Sequence, residues 1–410
     1  MHLMDKIIMS LRGNSQEQNK PYNRRLVLEA IRLQGPISRT KIADLLGLSS
    51  QSITNIVRDL VAEDLVEQTR GKAVQRGQPP IELRVNPSGA FAIGMQISQH
   101  SLKAILVDLS DQIIHEALIP LNSTSPDHIL PEVTRLVDLL KNKLGEYERD
   151  RIGGLGVAMP GPFGVLTESG WGEASLPEWQ RLDISDLLSK ASGLPVFLGN
   201  DATVAAIGEK HYGVGQKLQN FFYIHFGSTG LGGGMVIDGN AYRGSFGNAG
   251  EFGHLPLEPQ GEQCSCGNCG CLEKYVSLEA LLSFLNQKWT MRVEKAELDL
   301  LFQNQPELFD DWLTSAAEKL ARGICIVENL LDPQTVVVGG ELPEPLFDAL
   351  LRHLNPLLPS VSQHSARDSA RLIKSQLGAI RTLHGSAALV MYEILSPSQG
   401  RLFTQDFLPL

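Results

Sequence analysis

Between His254 and Cys271 the chain reads His-x9-Cys-x-Cys-x4-Cys, which places His254, Cys264, Cys266 and Cys271 within eighteen residues. Four soft or borderline donors at that spacing suit a closed tetrahedral zinc site, and four protein ligands leave no coordination position for water or substrate. Such an ion fixes a loop and performs no chemistry of its own. What it fixes matters, because Glu251 and Glu273 flank the cluster on either side. The expectation is a structural Zn²⁺ that holds two acidic side chains in place.

The competing reading is a disulfide cluster in a secreted protein. Only five cysteines occur in 410 residues. The opening Met1 to Leu11 carries too short an apolar run for a secretory leader, which points to a bacterial-type cytoplasm where thiolates survive to bind metal. Cys269 lies inside the cluster, but Gly267, Asn268 and Gly270 around it suggest a turn that aims it elsewhere. Cys325, in the apolar stretch from Ile324 to Ile326, is expected in the core.

A chain of this length predicts two or three domains. With 42% apolar and 20% charged residues it is an ordinary soluble composition. The longest uncharged stretch, Leu218 to Ile237, is interrupted by polar residues and glycines and is no membrane span. The net charge of −10 is unevenly spread: residues 1–90 hold thirteen Lys/Arg against nine Asp/Glu, and the remainder twenty-three against thirty-seven. A mildly basic head on an acidic body suggests that the head, if any part, meets phosphate.

The elements that would carry that contact follow from pattern. Helical spacing over Asn23 to Leu33 closes at Gly35-Pro36, and a second helix fits Thr40 to Leu46 with Ser38 as its N-cap and Gly47 as its stop. A third, capped by Ser49 or Ser50, runs to about Asp64. There Ile53, Ile56, Val57 and Leu60 share one face, leaving Gln51, Ser52, Thr54, Asn55 and Arg58 outside. Short amides and hydroxyls on an outward face suit base edges in a major groove, with Arg58 placed for phosphate, and they equally suit water. The next segment favours DNA. Leu65 to Glu67 and Ile81 to Val85 alternate like strands around a basic, glycine-bearing tip that carries Arg70, Lys72 and Arg76, which would reach phosphates or a narrow minor groove. The expectation is a winged helix-turn-helix; a protein-binding winged helix is its alternative.

After Asn86-Pro87-Ser88-Gly89 strands alternate with helices, an α/β pattern. Phe91 to Ile97 and Leu102 to Asp108 read as a hairpin, Ile129 to Leu144 as a helix, Ile152 to Ala158 and Leu194 to Leu198 as strands. Asn200-Asp201 follows at the carboxyl end of a strand, where open α/β sheets hold ligands. A strand from Asn220 to Phe226 runs into the glycine-rich turn Gly227 to Gly234, and Thr335 to Val338 into Gly339-Gly340. Glycine-rich turns can admit a phosphate or a sugar ring, and many hairpins need them merely to turn.

The helix-turn-helix and wing, the run Asn200-Asp201-Ala202-Thr203-Val204-Ala205-Ala206-Ile207-Gly208-Glu209, the segment Glu251-Phe252-Gly253-His254 and the Cys-x-Cys-Gly-x-x-Gly-Cys-x-Glu run together resemble the ROK family of repressors, open reading frames and sugar kinases. The likeness covers nearly the whole chain from about residue 20. It implies a winged helix-turn-helix over residues 1–86 and a two-lobed, sugar-kinase-like body of the actin/hexokinase type. The first lobe would span 87–199, with a C-terminal helix from about 384 to 410 packing back on it, and the second 200–383, with the zinc site and an oligomerisation surface. It implies a sugar or sugar phosphate in the cleft between lobes, on Asn200, Asp201, Glu251, His254 and Glu273. Carboxylates and an amide bond adjacent hydroxyls in pairs, and His254 can bind zinc through one ring nitrogen and offer the other to the sugar. It further implies operator DNA, a homodimer or tetramer, and in some relatives control by a docked transport or phosphotransfer-system protein. Membranes are not implied.

Asp201 matches the family's general base, and the same carboxylate can simply bind a hydroxyl. The nucleotide side differs from the kinases. They open with an Asp-x-Gly-Gly-Thr type turn, where this chain has Gln96 for the acid that helps hold Mg²⁺ and Ser98, Gln99 and His100 for the small residues. Terms that make phosphoryl transfer fast are then missing, so a non-enzymatic, sugar-responsive repressor is expected and a sugar kinase bearing a DNA-binding head is the alternative. Two other departures shift details. Gly77-Gln78-Pro79 replaces the family's Gly-Arg-Pro in the wing, and Ser175 precedes Leu176-Pro177-Glu178-Trp179 where the kinases carry Asn.

Overall fold

The computed structural model describes residues 20–70, 81–161, 176–179, 182–227, 230–288, 292–362, 369–377 and 381–395. Contacts divide the chain into two units, Met1–Ala158 with Leu182–Gly199 and Ser386–Leu410, and Met159–Arg181 with Asn200–Gly385.

The first unit opens with α1 (Lys20–Gln34), β1 (Ile37–Ser38), α2 (Arg39–Leu46) and α3 (Ser50–Ala62). Local chemistry sets these boundaries. Ser38 accepts from the Lys41 N–H at 3.3 Å and Ser49 from the Ser52 N–H at 3.2 Å, while Gly47 closes α2 at φ 63°. Strands β2 (Val66–Arg70) and β3 (Ile81–Val85) pair antiparallel, and β1 adds to β3. This is the three-helix, winged arrangement expected from pattern. Ile42, Leu46, Ile53, Val57, Leu60 and Leu83 form its core. The wing tip, with Lys72, Arg76 and Gly77-Gln78-Pro79, lies outside the described residues, as does Ser175.

The same unit continues with β4 (Phe91–Ile97), β5 (Ser101–Asp108), β6 (Ile113–Pro120), α4 (Pro126–Lys141), β7 (Ile152–Met159), α5 (Ile184–Ser192) and β8 (Val196–Asn200). Its sheet has the order β6-β5-β4-β7-β8. The β4–β5 hairpin is antiparallel and β4–β7 parallel. Every residue of β4 is buried, the polar Gln96 included.

The second unit holds α6 (Asp201–Tyr212), β9 (Phe221–Phe226), β10 (Leu231–Ile237), β11 (Asn240–Tyr242), α7 (Leu278–Lys288), α8 (Asp310–Leu331), β12 (Thr335–Gly340), α9 (Glu344–His353), β13 (Leu372–Lys374) and the start of α10 (Arg381–Leu395). Its sheet order, β11-β10-β9-β12-β13, repeats that of the first unit: third, second, first, fourth, fifth. Again the first two strands pair antiparallel and the first and fourth parallel. The apolar core lies between this sheet and α7, α8 and α9. From Ser386 onward α10 belongs to the first unit, and a Cβ on Gly156 of β7 would lie 1.8 Å from the Ser386 carbonyl oxygen. Residues 396–410 lie outside the described residues.

Cys325 departs from expectation. It is half-buried on α8, donating to the Pro359 carbonyl at 3.4 Å and accepting from Asn329 at 3.5 Å. The helix buries Ala321, Ile324, Val327 and Glu328, and Cys325 is turned off that row toward a loop.

Candidate ligand site and metal centre

In the second unit the four expected metal ligands converge: the donor atoms of His254, Cys264, Cys266 and Cys271 all lie within 4.8 Å of one another. Short-range backbone bonds build the loop. Cys264 N–H donates to Asn268 at 2.8 Å, Gly267 N–H to Cys264 at 3.0 Å, Leu257 N–H to Gly270 at 2.9 Å and Gly270 N–H to Glu262 at 2.7 Å. Gly270 is required: its φ is 68°, and a Cβ there would lie 1.7 Å from the Glu258 carbonyl oxygen.

Two of the donor separations match those of a tetrahedral ion. Metal–sulfur and metal–nitrogen bonds of about 2.3 and 2.0 Å place neighbouring donors about 3.5 to 3.8 Å apart. Cys264 Sγ lies 3.5 Å from His254 Nδ1 and Cys266 Sγ lies 3.5 Å from Cys271 Sγ. Burial raises the Cys264 thiol to about 11 and pushes Cys271 up as well, so these sulfurs need a cation to become thiolates at neutral pH. Cys269 points to the Gln263 side chain at 3.3 Å and is not among the four.

His254 joins the metal centre to the acids. Its Nδ1 faces Cys264 and stands 3.3 Å from Glu273 Oε1, while Nε2 stands 3.9 Å from Glu251 Oε2. Glu273 Oε1 also receives the Cys264 thiol at 3.3 Å. Asn200 caps α6, its side-chain oxygen accepting the Ala202 N–H at 2.9 Å, and Asp201 Oδ1 takes the same N–H at 2.7 Å. The turn after β9 touches both carboxylates: a Cβ on Gly227 would lie 3.8 Å from Asp201 Oδ2, and one on Gly230 3.2 Å from Glu273 Oε2.

Electrostatics follow from this crowding. Burial raises the Asp201 carboxyl to about 7, opposed by its bond from the Ala202 N–H and reinforced by repulsion from Glu341. Glu251 also rises to about 7, through burial and then through Asp201 and Glu273. Sequence pattern did not pick out Glu341, which follows Gly340 at the end of β12 and bonds Lys295. An acid directly after a strand-ending Gly-Gly pair was the available signal.

The glycines of β10 do not form a cradle. A Cβ on Gly232 would lie 2.8 Å from Ala202 Cβ, and one on Gly234 2.5 Å from the Ala202 carbonyl oxygen, so both let α6 close onto the sheet. In the first unit Gln96 is buried on β4, and the Ser98 hydroxyl bonds the Ser101 carbonyl at 3.0 Å while accepting the Ser101 N–H at 3.1 Å. Gln51, Ser52, Asn55 and Arg58 lie away from the buried row of α3; Gln51 bonds Asn55 at 3.4 Å, Ser52 bonds Ser49 at 2.9 Å, and Arg58 pairs with Asp59 at 3.3 Å. Arg70 ends β2 and is exposed. Among the described residues no helix is long and apolar enough to cross a membrane.

Comparison with known proteins agrees with both parts. The ROK family profile matches residues 92–393 and the MarR family profile residues 21–77. The chain is 28% identical to the xylose repressor of Bacillus spizizenii over 92% of this chain and 96% of that one. Among solved structures it is similar to a ROK family transcriptional regulator described as a homologue of the Escherichia coli MLC protein, with TM-score 0.73, 25% identity and coverage of 92% and 97%. The ROK hexokinase of Thermus thermophilus is 29% identical with TM-score 0.59, covering 74% of this chain and 99% of its own.

Proposed function

The chain belongs to the ROK family, and from that premise we propose that it is a sugar-responsive transcriptional repressor acting in the cytoplasm. In this reading the winged helix-turn-helix binds operator DNA through Gln51, Ser52, Asn55 and Arg58 of α3 and through Arg70, Lys72 and Arg76 of the wing. Asn200, Asp201, Glu251, His254 and Glu273 bind a sugar or sugar phosphate. Zinc on His254, Cys264, Cys266 and Cys271 holds that set in shape, and a homodimer or tetramer presents two heads to a palindromic site.

The observation that carries the reading is the double role open to His254: Nδ1 turned to Cys264 at 3.5 Å and Nε2 turned to Glu251. A metal ligand whose second nitrogen faces an acid couples the rigid loop to the hydroxyl-binding side. Coverage supports repression over catalysis, because the xylose repressor and the ROK transcriptional regulator cover 92% of this chain and the hexokinase 74%. Gln96 in place of an acid, and a Ser98 hydroxyl engaged within its own turn, weigh against Mg²⁺-nucleotide chemistry.

The test is operator affinity. Duplexes selected from a random pool by the purified protein are titrated by fluorescence anisotropy with and without pentoses, hexoses, N-acyl hexosamines and their phosphates. One sugar class is expected to shift the affinity, and Asp201→Ala to abolish that shift. An affinity indifferent to every sugar refutes the sensor, and sugar-dependent ATP hydrolysis refutes the non-enzymatic reading.

A further inference from the structure

The DNA-binding head of the first unit is mounted on its lobe by specific bonds. Asn86, which follows β3, donates its side-chain amide to the Asp64 carbonyl at 2.8 Å and its backbone N–H to the Leu65 carbonyl at 2.9 Å. It also caps the single turn Pro87–Gly89 by accepting the Ser88 N–H at 3.2 Å. Gly89 is packed tight: a Cβ there would lie 2.8 Å from the Asp64 carbonyl oxygen and 3.1 Å from both Leu65 Cα and Leu109 Cδ2. A segment so bonded is not a flexible linker.

Two arginines complete the mount. Arg151, just before β7, donates through Nε to the Gly89 carbonyl at 2.8 Å and through Nη2 to the Glu63 carbonyl at 2.6 Å, with the Tyr147 ring 5.2 Å from its guanidinium carbon. Glu63 is the C-cap of α3. A cation from the lobe therefore sits at the negative end of the helix proposed to read DNA. Arg32, near the end of α1, grips Glu29 at 2.9 and 2.7 Å and also bonds Asp111 in the turn between β5 and β6. Its side chain is only 7% exposed. That turn is fixed in advance, because Asp108 Oδ1 accepts from the Ser110 N–H at 2.8 Å, the Ser110 hydroxyl at 2.7 Å and the Gln112 N–H at 3.0 Å.

The geometry points to Arg151 and Arg32 as positioning residues for DNA recognition, which fix the angle and offset of α3 relative to the first lobe. In an oligomer the separation of two heads, and hence the half-site spacing of the operator, is then set by the lobe and not by linker length. A flexible tether gives an effective concentration that varies slowly with separation, whereas a rigid mount gives a sharp optimum. The inference rests on the repressor reading.

The experiment uses the full chain and selected duplexes carrying either one half-site or two half-sites whose spacing is stepped by single base pairs through one helical turn. Wild type is expected to weaken by about a hundredfold when the spacing moves half a turn from its optimum, and Arg151→Met and Asp111→Gly to weaken by less than about tenfold, with single half-site affinity unchanged. Arg151→Lys, which keeps one donor to the helix end, should restore part of the discrimination. A sharp profile in the Asp111→Gly variant, or a flat one in wild type, overturns the mount. Loss of single half-site binding by Arg151→Met reports damage to α3 itself, and Asp111→Gly, which leaves α3 untouched, then decides. A wild-type protein that selects no duplex at all refutes the repressor reading instead.

Discussion

Replacing Gly234 by alanine tests what the glycine-rich strand is for. A methyl group there would stand 2.5 Å from the Ala202 carbonyl oxygen and 2.7 Å from Ala206 Cβ, where ordinary contact begins at 3.4 Å. Relief requires α6 to lift by roughly 1 Å from β10, and forced overpacking of this kind costs about 1–3 kcal/mol. The backbone of Gly234 is ordinary strand, so no conformational strain enters the comparison. For a unit of this size a loss of about 2 kcal/mol lowers Tm by roughly 4 to 8 °C. Asn200 and Asp201 form the first turn of the displaced helix, so sugar affinity should fall with stability. Gly227→Ala is the control. Its nearest atoms would be 3.4, 3.7 and 3.8 Å away, one of them Asp201 Oδ2, so stability should change by less than about 0.5 kcal/mol. Differential scanning calorimetry measures the first effect and calorimetric titration with the responsive sugar the second. If the glycines exist to admit a ligand, Gly234→Ala should instead lose sugar affinity and keep its stability. A Gly234→Ala protein as stable as wild type, beside a Gly227→Ala protein that melts early, refutes the packing argument.

Elemental analysis should find one zinc per chain, and Cys264→Ser should lower that occupancy and Tm together, while Cys269→Ser, whose thiol bonds only Gln263 among the contacts described, should leave both unchanged. Because the Asp201 carboxyl titrates near 7 instead of 3.8, the folded state holds a proton there that the unfolded chain has released, so this group makes stability fall as pH rises from about 4 to about 7. Sugar affinity should move the opposite way, rising up to about tenfold per unit as Asp201 ionises below pH 7 and levelling above it; a flat profile in wild type, or one retained in Asp201→Asn, contradicts that assignment. Glu328 is fully buried and holds Arg371 at 2.9 and 2.5 Å, so Glu328→Ala should cost about 3–5 kcal/mol in urea unfolding, and a loss under 1 kcal/mol would show the pair to be dispensable.

Features encoded by neighbours in sequence were legible. Ser38, Gly47 and Ser49 mark helix ends because capping involves residues two or three apart, and the cysteine loop could be read because all four donors fall in one segment. Period-two alternation located β2 and β3, and two largely apolar runs located the β4–β5 hairpin. The third strand of that sheet, β6, was missed although it alternates half-buried and exposed residues, because its inward positions include His115 and Ala117 beside the apolar ones. Cys325 was misplaced because an apolar run on a helix does not give its phase. Glu341 had a local signal in its place after Gly339-Gly340, but the partners of long-range pairs had none: Glu341 acts on Asp201, Arg151 reaches Glu63, and Gly234 seats Ala202, each from a distant part of the chain.

Charge balance explains why a metal-braced pocket of this composition would prefer a polyol. Zinc bound by one imidazole and three thiolates leaves a net charge of about −1, so the ion orders the loop without neutralising the acids beside it. Asp201 and Glu273 both repel Glu251, and Glu341 repels Asp201. Part of that repulsion is relieved by protonation near neutral pH. A ligand can relieve it in another way, by donating hydroxyl hydrogens to the carboxylates, and adjacent hydroxyls on a sugar ring supply such donors in pairs. An anionic group placed among the acids would worsen the repulsion. A sugar phosphate would therefore have to direct its phosphate away from these three carboxylates, whereas a neutral sugar meets no such restriction. Competition between a sugar and its phosphate ester, measured at pH 6 and pH 8, separates the cases: the ester should lose ground at the higher pH if its phosphate faces the acids, and keep pace if it does not.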